Sequence, residues 1–406
     1  MDREQAYAKL ERYGQTHLLR FYNELDENAK ASLLSQIEKI DLGAIRKPRI
    51  KDTKGDVIEP HPALALADIK KDHDKYYETG LKAVKENKIA ALILAGGQGT
   101  RLGISGPKGT LNVGITKELY IFECLVKNLM KVTDAAGNMI PLLIMTSEIN
   151  DEATRAFFKE HEYFGYDPGR VYFFVQEMVA CADYDLKVYL EEKGKIAMSP
   201  NGYGGWFRAL CRAGLDKKLK EEGVEYINIF SVDNVLQKMA DPVFLGAVIE
   251  GDFPVGSKVI RKNAPEEKVG VMCKRNGRPS IIEYYELTEQ MRNLRDENGE
   301  LVYTFGVILN YIFRMKELTA IADDPLPLHV VEKKIPHIND NGNLIRPDEP
   351  NGYKYETLAL DMIEMMPEGL VFEVEREKEF APIKNLHGVD SLDSAREMLA
   401  ANGVEL

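Results

Sequence analysis

From Ile89 onward, short apolar runs ("IAALILAGG", "IPLLIMTS", "RVYFFVQ", "YINIFSVDN") alternate with longer amphipathic stretches ("KELYIFECLVKNLMKVTDAAG", "NDEATRAFFKEHEYFG", "GGWFRALCRAGLDKKLKEEG"). A short run that is apolar at consecutive positions suits a strand covered on both faces, and the intervening stretches have helical periodicity. Strands that alternate with helices build βαβ units. The expected class is therefore α/β, with a mixed, mostly parallel sheet flanked by helices.

The flanks read differently. Before residue 86 the apolar positions Leu10, Leu18, Leu19, Phe21, Leu25, Leu33, Leu34, Ile37 and Ile40 recur at helical steps between charges, which predicts a helical N-terminal extension over 1–85. Within it "GAIRKPRIKDTKGDVIEPHPALALADI" is proline-rich and reads as a long extended connection. A second region, 86–406, is expected to hold the sheet. After Gly256 the runs "KRNGRP", "RDENGEL" and "NDNGNL" each set Asn-Gly between strand-like segments, the signal for tight hairpins, so about 256–345 is expected to be an antiparallel excursion. "SLDSAREMLAANG" predicts a closing helix, capped by Asp390 or Ser391 and stopped at Gly403.

Composition removes several classes. The 406 residues, 44% hydrophobic, are enough for a sizeable core. With 53 basic against 65 acidic side chains the net charge is −12, which argues against a general binder of nucleic acid or acidic membranes. Cys124, Cys181, Cys211 and Cys273 are widely spaced with no CxxC pair and read as buried reduced thiols. The charged start "MDREQAYAKLERYG" lacks the apolar core of a signal peptide and no stretch reaches spanning length, so a cytoplasmic protein is expected.

"LILAGGQGTRLGISGPKG", residues 92–109, leaves a strand and presents almost no side chains to pack. At the carboxyl end of a parallel strand, a loop leading into a helix offers backbone N–H groups to an anion. An ordinary strand-to-helix turn explains one or two glycines, not this series. Two familiar phosphate loops do not match. Leu102 stands where the dinucleotide fingerprint needs its last glycine, and Pro107 precedes Lys108 where a P-loop needs glycine. What remains is a glycine loop with Arg101 and Lys108 able to hold a triphosphate from two sides.

"LAGGQGTRLGISGPKG" resembles the signature loop of the UDP-sugar pyrophosphorylases, in the branch that contains the eukaryotic UDP-N-acetylglucosamine enzymes. "EHEYFGYDPGRVYFFVQ", "SPNGYGGWFRAL", "FSVDNVLQKMADPVFLG", "KVGVMCKRNGRPSIIEYYEL", "LPLHVVEKKIPHIND" and "FEVEREKEFAPIKN" resemble that branch in the same order. The resemblance implies a Rossmann-like (GT-A-like) nucleotidyltransferase fold and a reaction of UTP with a hexose 1-phosphate to give UDP-sugar and pyrophosphate. It implies phosphate contacts from Arg101, Lys108 and Lys384, a nucleotide on Leu94, Ala95, Gly96, Gly97, Gly99 and Thr100, and Gln176 and Gly202 at the uracil and ribose. It places the sugar at Gly270, Glu283, Tyr284, Asn310 and Lys354, and gives Asp233 to magnesium (Mg2+). The plainer reading of Asp233, second to this one, is a cap of the following helix, and both could hold.

The chain also departs from that branch. Tyr203 stands where the branch has a sugar-contacting asparagine, Leu358 and Leu360 where it has aromatic residues lining the N-acetyl pocket, and Glu177 where it has glycine. Glucose 1-phosphate or galactose 1-phosphate, or a broad UDP-sugar specificity, is thus an alternative to N-acetylglucosamine 1-phosphate. Beyond "APIKN" the branch continues into a C-terminal domain, so a monomer is the expectation here. A non-enzymatic subunit of the same fold would have no need of Arg101, Lys108, Asp233 and Lys384 together, and a UDP-sugar-consuming glycosyltransferase usually carries Asp-x-Asp, which "VDNV" is not.

Overall fold

The computed structural model describes residues 1–48 and 55–406. The chain divides into two compact units, the first from Met1–Lys54, Gln176–Gly205 and Pro325–Ala359, the second from Gly55–Val175, Trp206–Asp324 and Leu360–Leu406. Both units are therefore discontinuous in sequence, and the expected division at 85/86 falls inside the second.

The second unit is built on one ten-stranded sheet. Its strands are β1 (Ile58–Pro60), β2 (Ile89–Leu94), β3 (Leu142–Thr146), β4 (Val171–Val175) and β5 (Tyr226–Ser231), then β6 (Val255–Arg261), β7 (Val271–Arg275), β8 (Arg278–Ile282), β9 (Phe305–Arg314) and β10 (Leu370–Glu373). The path runs β1-β7-β9-β5-β2-β3-β4, with β8 on β7 and β6 between β9 and β10. β5, β2, β3 and β4 are parallel, and β9 lies antiparallel to β5. Every residue of β2 is buried, as expected of a central parallel strand. The helix Ile121–Ala136 buries Ile121, Phe122, Leu125, Val126 and Leu129 in the same core as Ala91 and Ile93 of β2.

Connectivity locates the crevice. The chain leaves β2 for β3 and β4 on one side, then crosses to β5 on the other side of β2, so strand order reverses between β2 and β5. In open α/β sheets that reversal opens a cleft at the carboxyl ends of the strands. Register sets the two ends level, because Ser231 pairs with Leu94.

The hairpins follow their turn chemistry. β7 and β8 are joined through Asn276 and Gly277, both at positive φ (52° and 80°), the primed turn that matches strand twist. "NDNGNL" joins two short strands, His337–Ile338 and Leu344–Ile345, and "RDENGEL" closes only a single bridge, Arg295 to Leu301. The last helix, Leu392–Ala401, is capped by Ser391 in a reciprocal capping box and is followed by Gly403 at φ 76°.

The first unit contains the helices Arg3–Arg12 and Glu27–Lys39, whose Ala6, Leu10, Leu33 and Ile37 pack with Val188, Leu190 and Ile196. A three-stranded sheet joins His329–Lys333, Gly352–Glu356 and Ala182–Asp183. Of the expected extended connection, residues 49–54 lie outside the described residues. The rest is less extended than its prolines suggest, since it holds β1 and the start of a helix at Leu66. Cys124, Cys181 and Cys273 are buried and unbridged, whereas Cys211 is only half-buried.

Candidate functional site

The loop after β2 is shaped by its own backbone. Gly99 N–H donates to the Gly106 carbonyl at 2.9 Å and Lys108 N–H to the Gly97 carbonyl at 3.2 Å, which closes a small antiparallel bridge between Gln98 and Pro107. Asn150 fastens the loop from outside by donating to the Ala95 and Gly97 carbonyls at 2.9 and 3.2 Å. A β-carbon at Gly99 would lie 2.1 Å from Ile104 Cγ1, so that closure requires glycine. The expected run from loop into helix does not occur. Thr100–Leu102 and Lys108–Thr110 are single 3-10 turns, and the next α-helix begins only at Ile121. The internal bonds of the loop take the carbonyls that a helix would have used. Among the described residues, the amides of Gly96, Gly97 and Gln98 donate to no protein acceptor.

Asp233 follows β5 two residues past the end of the strand. Its carboxylate accepts from the Ser231 hydroxyl and from Lys108 Nζ at 3.3 Å. Lys108 and Asp233 are thus brought together from the ends of adjacent strands, partly buried with side-chain exposures of 15% and 22%. Lys384 arrives from the C-terminal region, where Ile383 N–H donates to the Asp233 carbonyl at 2.9 Å. Its ammonium pairs with Asp390 at 2.8 Å. Arg101 is exposed and, among the described residues, has no ion pair. Leu94 and Ala95 are buried in the strand end, and Thr100 is exposed beside Arg101.

The sugar-assigned residues of the second unit separate into two groups. Gly270, Glu283 and Tyr284 lie around the start of β7 and the end of β8. A β-carbon on Gly270 would be 3.6 Å from Glu283 Oε1 and 3.5 Å from Val307 Cγ2. Tyr284 is exposed, its ring edge-on to Tyr285. Asn310 is not part of this group. It is fully buried, accepts from Asn228 Nδ2 at 2.8 Å and donates to the Lys238 carbonyl at 3.2 Å, so both ends of its amide serve the fold. One lone pair of Oδ1 and one N–H of Nδ2 remain beyond these two bonds, so the amide still has capacity for a sugar hydroxyl. Val307 is the β9 residue beside Gly270, its N–H bonded to the Gly270 carbonyl at 2.9 Å. Its apolar side chain carried no signal in the sequence.

In the first unit Gln176 is 5% exposed and its Oε1 has no hydrogen-bond partner among the described residues, nor has Asn201 Oδ1. Other buried side-chain atoms among the described residues share this condition, Gln237 Oε1 and Ser257 Oγ among them. Asn201 was missed in the sequence, although it stands in the quoted "SPNGYGG". Gly202 has φ 72°, and a β-carbon there would meet the Thr357 carbonyl oxygen at 2.3 Å, so only glycine fits. Tyr203 is half-buried, and Lys354 sits in the strand opposite Val331.

Among the described residues no cluster of three or more His, Cys, Asp or Glu side chains is placed to hold a metal, and no helix is long and apolar enough to cross a membrane.

The family model described as UTP–glucose-1-phosphate uridylyltransferase matches residues 33–400. The mouse UDP-N-acetylhexosamine pyrophosphorylase-like protein 1 is 36% identical over 411 residues, covering 95% of this chain and 81% of that one. An Arabidopsis thaliana protein named UDP-N-acetylglucosamine diphosphorylase 2 is 34% identical, covering 96% and 81%. The crystal structure of the uridine diphosphate N-acetylglucosamine pyrophosphorylase from Trypanosoma brucei, solved with an inhibitor, superposes with TM-score 0.85 at 27% identity, covering 99% of this chain and 85% of that one.

Proposed function

The chain belongs to the UTP–glucose-1-phosphate uridylyltransferase family, and from that premise we propose that it transfers a uridylyl group from UTP to a hexose 1-phosphate, N-acetylglucosamine 1-phosphate first among them. The observation that carries this reading is the meeting of Lys108 and Asp233 at the strand-order reversal, beside the unpaired amides of Gly96, Gly97 and Gln98.

A phosphate oxygen of the sugar 1-phosphate attacks the α-phosphorus of UTP. The new P–O bond forms as the bond to the β-phosphate oxygen breaks, and pyrophosphate leaves with that electron pair. No covalent enzyme intermediate is needed, so the protein supplies placement and charge. The loop amides donate to phosphate oxygens. Arg101, as a planar fork, and Lys108 and Lys384, as point charges, offset the negative charge that gathers on the α-phosphate and the leaving group. Gln176 Oε1 is an acceptor suited to the imide N–H of uracil, and Asn201 Oδ1 a second acceptor for the nucleoside. Tyr203, Gly270, Glu283, Tyr284, Asn310 and Lys354 are assigned to the sugar.

A single carboxylate at Asp233 fits a magnesium ion that takes its other oxygens from phosphates and water. When bound, the ion would neutralise part of the triphosphate charge.

Glucose 1-phosphate is the second reading, favoured by Tyr203, Leu358 and Leu360 at the positions named above. Incubating the protein with UTP, magnesium and a panel of sugar 1-phosphates while measuring pyrophosphate tests both. Release with N-acetylglucosamine 1-phosphate in preference to glucose 1-phosphate supports the first reading, the reverse supports the second, and no release with any sugar rejects both.

A further inference from the structure

Lys258, on β6, is fully buried and is used by nothing in the reaction above. Its ammonium donates to Asp241 Oδ2 at 2.7 Å and to Glu379 Oε2 at 2.6 Å, and lies 5.5 Å from the centre of the Phe244 ring. Lys238, half in solvent, approaches Glu379 Oε1 at 3.3 Å. Taking three charges out of water is expensive, and well-packed apolar residues usually stabilise a core as well or better. The triad is therefore a poor device for stability alone. Each of its carboxylates sits at the root of a segment that leads to the reaction centre.

Asp241 caps the helix Pro242–Glu250 and ends the loop that begins with Asp233. Glu379 ends the short helix that precedes "FAPIKN". Directly between them Asn234 donates to the Glu379 carbonyl at 2.7 Å and accepts from Ala381 N–H at 2.8 Å. Val235 N–H reaches the Ala381 carbonyl at 3.3 Å, and Ile383 N–H the Asp233 carbonyl at 2.9 Å. The two segments are thus laced in antiparallel fashion, with a bridge between Asn234 and Pro382, and Lys384 is the next residue along.

We infer that Lys258 and Glu379 are positioning residues of the transferase: their buried ion pair holds segment 379–384 in register with 232–236 and so sets the distance from Lys384 to Asp233. Burial pulls the Lys258 ammonium toward neutrality, but Asp241 and Glu379 outweigh burial and leave it above its ordinary value, so the ammonium stays charged through the neutral range. The inference rests on the proposed reaction only for the role of Lys384; the lacing itself is independent of it.

Glu379→Gln keeps the shape and leaves Lys258 paired with Asp241, so it is the variant to make. Exchange of the Ala381 and Ile383 amides with deuterium, followed in the full chain without substrate, should quicken relative to the amides of β2. Turnover should fall about 10- to 100-fold, as expected when a reacting group is displaced by an ångström or so. The KM for UTP should stay within about twofold, because an interaction made mainly in the transition state is lost. Glu379→Asp should restore part of the rate. In a Lys384→Ala background Glu379→Gln should have no further effect on turnover, since both act through one group. Asn234→Ala, on the same path but without a buried charge, should reproduce the exchange and rate effects if Glu379→Gln fails to fold. Unchanged exchange at Ala381 and Ile383 in the folded variant, or fully additive losses with Lys384→Ala, would overturn the inference. If the wild-type protein turned over no sugar phosphate, the exchange result would still decide whether the triad places this segment, while the transferase reading failed separately.

Discussion

Lys108 and Arg101 carry the same charge in opposite circumstances. Lys108 is partly buried and spends its ammonium on Asp233, whereas Arg101 projects into solvent with no ion pair among the described residues. Removing either should slow turnover by about two to three decades, the usual cost of losing one preorganised charge stabiliser. Only Lys108→Ala should also lower the melting temperature, because it strips a partly buried carboxylate of its partner. Steady-state rates and thermal melts on both variants check this, and an equal fall in melting temperature would remove the distinction. Lys108 and Asp233 could be singled out in the sequence because a glycine loop and a strand end bracket them, and the structure brings the two together. Asn310 shows what a sequence hides. It displays an amide but not its partners, and this one is held by Asn228 and the Lys238 carbonyl, while Val307 faces Gly270. Asn310→Ala should accordingly destabilise the fold by about 1–3 kcal/mol, the penalty for buried groups left unpaired. Urea unfolding measures that, and the ratio of KM values for two sugar 1-phosphates, read on the same variant, should shift if the remaining donor and acceptor positions of the amide serve the sugar; an unchanged ratio would leave Asn310 a role in the fold alone.

At the scale of elements, the strands were legible wherever the chain is apolar at consecutive positions, and the β7–β8 turn wherever Asn-Gly licenses two residues at positive φ. The glycine loop stood out in the sequence by its composition but not by its shape. Its bonds from Gly99 to Gly106 and from Lys108 to Gly97 join residues whose pairing no periodicity announces, and they replace the helix start that the glycine pattern suggested. The C-terminal helix was read correctly, and of its two candidate caps, Asp390 and Ser391, the structure takes Ser391. Ser391 both receives the Ser394 N–H at 3.2 Å and, through its backbone, is held by the Ser394 hydroxyl at 3.0 Å. Behind the cap, Leu392 N–H returns to the Asn385 carbonyl at 2.9 Å, and Ala395 and Leu399 are buried in the core. Ser391→Ala should therefore cost about 1 kcal/mol, the ordinary value of a lost N-cap. Chemical denaturation followed by helical circular dichroism reads the loss; a midpoint unchanged from wild type would mean that burial of Ala395 and Leu399 alone fixes the helix.

For the molecule as a whole, the two compact units could not be read from the sequence, because the first is assembled from three separated segments and no shift in composition marks where the chain passes between them. Among the described residues, each unit holds a histidine that folding makes harder to protonate. In the first unit His17 is half-buried with Nε2 2.8 Å from the Val188 carbonyl oxygen; in the second, His61 is buried with Nδ1 2.9 Å from that of Pro62. Burial, against some help from the carbonyl, pushes both below the ordinary value of 6.5, and nearby Lys187 and Arg20 for His17, and Lys274 for His61, push the same way. A base whose pKa is lowered on folding binds its proton more readily in the unfolded chain. Its contribution is thus complete above pH 6.5 and is lost as pH falls from there toward the folded value. Within that window each histidine steepens the loss by at most about 1.4 kcal/mol per pH unit. Unfolding free energy should accordingly hold between pH 7 and 8 and decline from about 6.5 downward, well above the range where carboxylates titrate. His17→Gln and His61→Gln, each able to keep a donor near its carbonyl without taking up a proton, should both flatten the decline. Denaturant titrations at half-unit steps from pH 7.5 to 5 provide the measurement, and a decline of the same slope in the double variant would assign the acid sensitivity to other groups.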